Sequence, residues 1–282
     1  MIRTFFAAAA MSAAALPSGA HAQNDGPQAE TVFDGDYLTL GVGGFYGPSY
    51  EGSDDYILFP APIVQGRLMG VAITPRPGGV ALDLIPDARD AKVGFSLGPV
   101  ANIRRDRASR IKDPVVKRLG KLDTAVEVGA NAGVTVYDLL TGYDSLTFSA
   151  DARWDVAGAH KGMLWGPSLS YFTPVSKGAA VNLAVSAEHM DRDYADYYFT
   201  VSPAGSVASG LPTFRARSGW KNVGINALAG VDFDGDLTNG GLAGFVTGGY
   251  TRLLNDAKRT PLTSIRGDSD QWLVGAGLAF TF

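Results

Sequence analysis

The sequence predicts an all-β fold, a transmembrane antiparallel β-barrel of about twelve strands with both termini periplasmic. Three observations predict it: long segments of alternating apolar and polar residues, connections that are alternately short and long, and a last strand ending in a terminal Phe. Composition agrees. The chain holds 36 Gly in 282 residues and only 18% charged side chains, against roughly 7% Gly and 25% charge in an ordinary soluble domain. A net charge of −4 excludes a strongly basic nucleic-acid binder, and 46% hydrophobic content excludes a disordered chain. The absence of Cys removes disulfide frameworks and thiolate zinc sites. Beyond the N-terminal segment no apolar run approaches 18 residues free of Gly, Pro and charge, which excludes spanning helices there.

Residues 1–22 read as a signal peptide, with Arg3 in the positive region, Phe5 to Leu16 as the apolar stretch and Ala20-His21-Ala22 as the cleavage site. A short anchor helix is the alternative, disfavoured by the short apolar run and Pro17. Residues 23–35 are polar and expected as a flexible lead-in, and 36–282 as the barrel.

Strands are expected near 36–46, 56–67, 68–74, 79–84, 91–103, 122–137, 145–157, 163–173, 179–190, 220–233, 242–254 and 269–282. The cleanest alternation runs through Leu122, Thr124, Val126, Val128, Ala130, Ala132, Val134 and Val136, with Asp123, Glu127, Asn131 and Thr135 between them. The next strand sets Leu146, Phe148, Ala150, Ala152 and Trp154 against Ser145, Thr147, Ser149, Asp151, Arg153 and Asp155. Most of these segments match the roughly 9–11 residues that a tilted strand needs to cross a bilayer, twice the usual soluble length. Gaps after even-numbered strands are short, as at 138–144 and 174–178, whereas 104–121, 191–219 and 255–268 follow odd-numbered ones. That asymmetry is the signature of an outer-membrane barrel, and closure follows because an open sheet edge cannot face lipid.

The last strand places Trp272, Val274, Ala276, Leu278, Phe280 and Phe282 on one face. Trp272, Leu278, Phe280 and Phe282 resemble the signal by which outer-membrane barrels are handed to the barrel assembly machinery. An ordinary amphipathic strand of a soluble sandwich is the alternative.

Charged residues supply the candidate sites. Segment 104–121 carries eight basic against two acidic residues. Arg104, Arg105, Arg107, Arg110, Lys112, Lys117 and Arg118 are expected outside, as contacts for lipopolysaccharide phosphates, or else as a solvated loop. Asp123, Glu127, Asp151, Asp155, Glu188 and Asp232, with Arg153, are expected to point into the lumen, where an excess of carboxylate would prefer cations. Tyr50 to Asp55 is acidic, and reads as a plain turn or a loose divalent-cation site without EF-hand spacing. His160 is expected as a loop contact. His189 lies on the lipid-facing row near the rim, where a barrel-borne lipid hydrolase would place a base, but no Ser or acidic partner can be assigned to it. No cofactor or metal site is implied.

Several spaced blocks resemble the MltA-interacting protein (MipA/OmpV) family: GPSYEGSDDYILFPAPIV at 47–64, AHKG at 159–162, YYFTVSP at 197–203, SGLPTF at 209–214, SGWKNVGINA at 218–227, YTRLLNDA at 250–257 and the closing strand. Thr200 and Lys258-Arg259-Thr260 depart from the family pattern, in loops that would carry partner specificity. The resemblance implies an outer-membrane barrel acting as a non-enzymatic scaffold between a lytic transglycosylase and a murein synthase. A narrow solute channel is the alternative, and a rim lipid hydrolase a third reading.

Overall fold

The computed structural model describes residues 31–88 and 91–282, so the expected signal peptide and the lead-in up to residue 30 lie outside the described residues. Twelve strands are described: β1 Tyr37–Pro48, β2 Tyr56–Leu68, β3 Val71–Arg76, β4 Gly79–Asp83, β5 Val93–Arg104, β6 Ala125–Tyr137, β7 Ser145–Asp155, β8 Met163–Ser176, β9 Ala179–Met190, β10 Gly219–Asp232, β11 Gly241–Leu253 and β12 Asp270–Thr281. Each pairs antiparallel with its chain neighbours, and β12 closes on β1. Alternation thus located each strand to within a few residues. β6 begins at Ala125 rather than 122, because Tyr197 Oη accepts the N–H of Asp123 at 2.8 Å and holds that residue in the preceding loop. The end of the lead-in is built into the fold: Val32–Asp34 form a 3-10 turn, and the Val32 N–H donates to Thr238 O at 2.8 Å.

Outward rows are apolar, as on β12, where Trp272, Val274, Leu278, Phe280 and Phe282 are exposed. Inward rows are mostly small or polar, with Ser149 bonded to Ser168 at 2.8 Å and Thr135 to Thr147 at 2.9 Å, and carry one aromatic group in which Phe45 packs on Phe59 and Phe245. Some inward positions need Gly, because the neighbouring strand's backbone lies where a Cβ would stand. A Cβ on Gly129 would lie 1.8 Å from Ala152 O, and one on Gly166 2.1 Å from Ala187 O. At one height the outward rows become aromatic: Trp165, His189 and Trp220 pack together, Tyr250 packs on Trp272, and Tyr46 on Tyr56. Rings at this level form the interfacial girdle expected of a membrane barrel.

The wall is thinnest at β3 and β4. β3 pairs with β2 only over Gly66–Leu68, and β4 with β5 only over Gly79–Ala81. The connection after β3 is a two-residue turn, Pro77-Gly78, within the short gap expected at 75–78 and unlike the long loops after β5, β9 and β11. Above this hairpin the second edge of β2 has no strand partner among the described residues, and Pro60 and Pro62 stand on it, where no N–H is required.

The two ends differ. Short turns, the first described residues from Thr31 and the C-terminal Phe282 lie at one, here the turn end. Long connections at the other, the loop end, fold into five short helices: α1 Pro114–Lys117, α2 Arg192–Phe199, α3 Pro203–Ser209, α4 Asn255–Arg259 and α5 Pro261–Ser264. The first three start on side-chain caps. Asp113 accepts from the N–H groups of Val115 and Val116 ahead of α1, Asp191 from Tyr194 ahead of α2, and Ser202 from Gly205 ahead of α3. Gly210, at φ 79°, ends α3. The buried face of α2, Tyr194, Ala195, Tyr198 and Phe199, packs on Leu164, Met190, Leu253 and Ala257. Tyr50, Ile111, Val116, Val201, Leu211 and Leu262 form a second apolar cluster among these loops. The loops thus have a core of their own, a cap over the bore.

The cap also fastens the barrel seam. Tyr50 Oη, before β2, donates to Arg266 O at 3.0 Å and to Leu262 O at 3.3 Å. Gln271 accepts from the Gly52 N–H at 3.1 Å and donates to Ser53 O at 3.1 Å. At the turn end the seam is joined by Thr39 and Thr281, whose hydroxyls are 2.8 Å apart.

Candidate functional site

Beneath the cap, inward charges from five strands and one loop converge. Glu127 on β6 is fully buried and takes Arg104 Nε of β5 at 2.5 Å, Arg153 Nε of β7 at 3.5 Å and the Asn102 amide at 3.2 Å. Glu188 on β9 is paired with Arg153 and with Lys221 of β10, and Arg104 Nη2 lies 3.8 Å away. Lys221, 1% exposed, also meets Glu51 Oε1 at 2.9 Å. Tyr194 of α2 joins these groups, donating to Glu51 Oε2 at 3.2 Å and accepting from Lys221 at 3.4 Å. The Arg104 and Lys221 cations sit 5.3 and 5.2 Å from its ring centre. One layer nearer the turn end, Asp151 accepts from Arg76 Nε at 3.3 Å and from Asn131 at 2.5 Å.

Arg153 lies on β7, six strands from β1 around the closed barrel, while Glu51 comes from the loop after β1. The network therefore runs across the bore. It sets four carboxylates (Glu51, Glu127, Asp151, Glu188) against four cations (Arg76, Arg104, Arg153, Lys221). This balance corrects the expected carboxylate excess: alternation showed Glu127, Asp151 and Glu188 but not Glu51, Arg76, Arg104 or Lys221. Buried charges are tolerated when they are paired, and every charge of this cluster has an opposite charge beside it, while Arg153 Nε and Asn102 Oδ1 make no hydrogen bond.

His160, in the connection between β7 and β8, is buried. Its Nδ1 accepts from the Gly162 N–H at 3.0 Å, which leaves the proton on Nε2, 3.4 Å from Glu127 Oε1. Its ring stands edge-on to Tyr194 at 5.0 Å. His189 is a girdle residue between Trp165 and Trp220.

Of the other expected lumen charges, Glu127, Asp151, Arg153 and Glu188 are brought together, whereas three are displaced. Asp123 is exposed in the loop before β6. Asp155 ends β7 and accepts from the N–H groups of Ala157, His160 and Lys161, closing a hairpin. Asp232 does the same for Asp234 and Gly235. Two of the expected lipopolysaccharide contacts also turn inward: Arg104 to Glu127, and Arg107, 4% exposed, to Tyr198 O at 3.0 Å. Arg105, Arg110, Lys112, Lys117 and Arg118 stay exposed. In the acidic turn Glu51 is taken by Lys221, and among the described residues no group of three or more His, Asp or Glu could hold a metal ion.

Cap carboxyls are tuned by their neighbours. Burial raises the pKa of Asp106, reinforced by the adjacent Glu51 carboxylate. For Asp113 burial also opposes charge, but Arg266, with the N–H groups of Val116 and Val115, outweighs it and holds the carboxyl below the ordinary aspartate value. Asp256 is likewise opposed by burial and held low by Arg217.

Residues 40–282 match the family described as MltA-interacting protein MipA. The chain belongs to this family. Together with a closed barrel whose outer face is apolar and girdled, this places it in the outer membrane. No curated relative matches the sequence. Among solved structures it is similar to an outer membrane channel from Pseudomonas putida F1, at 10% identity and TM-score 0.46, covering 92% of this chain and 100% of that one. It is also similar to OprD from Pseudomonas aeruginosa, at 14% identity and TM-score 0.37, covering 87% of this chain. The chain spans 65% of the length of OprD. The outer membrane channel DcaP of Acinetobacter baumannii is similar at 10% identity and TM-score 0.33, over 88% of this chain and 96% of that one.

Proposed function

We propose that this barrel is a non-enzymatic scaffold, exported by the signal peptide 1–22 and inserted by the barrel assembly machinery, whose turn end faces the periplasm and binds cell-wall enzymes. The observation that carries the reading is the cap with its charge network. A bore crossed by paired side chains at one end suits a binding platform better than an open pore. The family description, MltA-interacting protein, supports a lytic transglycosylase as the partner class, and the scaffold reading adds a murein synthase as the second enzyme. At the turn end, Leu139, Leu140 and Tyr143 on one hairpin and Phe233 on another are exposed, an apolar surface fit for a partner. One hairpin cannot supply the roughly 800 Å² per side of a stable interface, so several must act together.

The test is capture from mild detergent, comparing the native chain with a variant in which 138–144 and 233–240 are replaced by Gly-Ser turns of equal length. The reading expects a lytic transglycosylase with the native chain only. Equal recovery with both, or none with either, overturns it. The turn half of the bore, lined by small polar side chains such as Ser149, Ser168 and Asn226, favours a solute channel as second reading; a steady conductance in planar bilayers would promote it.

A further inference from the structure

The second edge of β2 is open above the β3–β4 hairpin, and a barrel in lipid cannot leave such backbone groups bare. Here the basic segment covers its upper end. Arg110 Nη1 donates to Leu58 O at 3.4 Å and Lys112 Nζ to Tyr56 O at 3.0 Å, with Ile111 between them anchored in the cap core. The two strips leave a groove of about 500 Å³ between them, lined by Tyr56, Ile57, Leu58, Pro60, Arg110 and Lys112. Its floor is apolar and faces outward, Leu58 being 70% exposed. Its height is that of the girdle, because Leu58 pairs directly with Tyr46. Arg110 is held at φ 60°, a left-handed conformation that costs an L-residue energy and persists only where its surroundings impose it.

We infer that this groove binds a phosphate-bearing lipid, its phosphate on Arg110 and Lys112 and its acyl chain along Leu58 and Pro60. Each cation spends one donor on a β2 carbonyl. Arg has five donors and Lys three, so both keep N–H groups for an anion. An apolar floor immediately below a cation pair, at headgroup depth, fits an amphiphile and no purely soluble anion. The site narrows a basic loop to two contact residues, and it stands whether or not the turn end recruits enzymes.

The test is native mass spectrometry of the full barrel in detergent, titrated with diphosphorylated lipid A and with the same lipid after removal of its phosphates. Expected are one preferred lipid per barrel, at least about tenfold weaker binding after dephosphorylation, and a similar loss in Arg110→Gln/Lys112→Gln, the scale of losing one or two charge-assisted hydrogen bonds. Lys117→Gln/Arg118→Gln removes the same charge from exposed positions outside the groove and should bind as the native chain does. Arg110→Gly relieves the strained φ, so it should keep the folded, heat-modifiable gel mobility while weakening lipid binding. Equal losses in both double variants, equal binding of both lipids, or displacement of the lipid by millimolar inorganic phosphate would each overturn the assignment.

Discussion

Replacing Lys221 with Met tests whether the charge network holds the cap to the barrel. Met keeps the volume of the side chain and removes a buried cation that pairs with Glu188 and Glu51 and touches Tyr194. Four carboxylates would then face three cations. Removing one member of a buried pair costs about 3–5 kcal/mol, and Glu188 retains Arg153 and Arg104, which puts the loss near the lower figure, about 3 kcal/mol. At 1.4 kcal/mol per tenfold this is roughly a hundredfold in the folding equilibrium. Glu188→Gln unbalances the cluster in the opposite sense. The double variant restores equal numbers, so it should cost at least about 1 kcal/mol less than the sum of the two single changes. The assay is guanidinium unfolding in detergent, followed by heat-modifiable mobility, with the midpoint read at unchanged slope. Strict additivity, or a native midpoint for Lys221→Met, would show that water rather than pairing stabilises these charges.

Three further outcomes follow from the geometry. Asp113 and Asp256 sit below the ordinary aspartate value in the folded chain, so their contribution is complete above about pH 4 and is lost as acidification passes through the lowered folded values; hydrogen exchange should show 191–218 loosening in that acid range while β6 to β9 stay protected. Gly129→Val would drive a side chain into Ala152 O, at a cost of about 3 kcal/mol, and the yield of heat-modifiable barrel should fall. Phe282→Ala keeps the rung in which the Phe282 N–H donates to Leu38 O at 2.9 Å but deletes the apolar terminus, so insertion in cells should drop several-fold while refolding in detergent stays normal; native insertion would dismiss the assembly role of Trp272, Leu278, Phe280 and Phe282.

Strand positions and faces were legible because a membrane barrel imposes period two on every crossing, and Glu127, Asp151, Arg153 and Glu188 were found from that alone. Lys221 was hidden by a bulge. The register shifts between Trp220 and Asn222, which turns inward a residue whose parity with Val223 and Ile225 assigns it to lipid. A Lys in a lipid-facing row costs about 2–4 kcal/mol at mid-membrane, and that conflict was the available signal. Glu51 and Tyr194 left no such trace, because loops that fold back over a bore have no period. Arg104 and Arg107 were misassigned for a related reason: a run of basic residues shows its net charge, whereas the direction of each side chain is set by partners far along the chain, Glu127 for one and Tyr198 for the other.

The double fastening of the seam bears on how long the folded protein lasts. Thr39 and Thr281 are 242 residues apart, so β1–β12 closure comes with a large loop entropy. The same seam is where a closed sheet would begin to unzip. The bonds of Tyr50 and Gln271 join the far end of this seam across 212 to 219 residues, and they rest in a cap that must itself come apart before they release. Opening must therefore break both ends within one event. If the cap docks after the strands have closed, it slows unfolding while leaving the folding rate unchanged, and the barrel gains lifetime rather than speed of assembly.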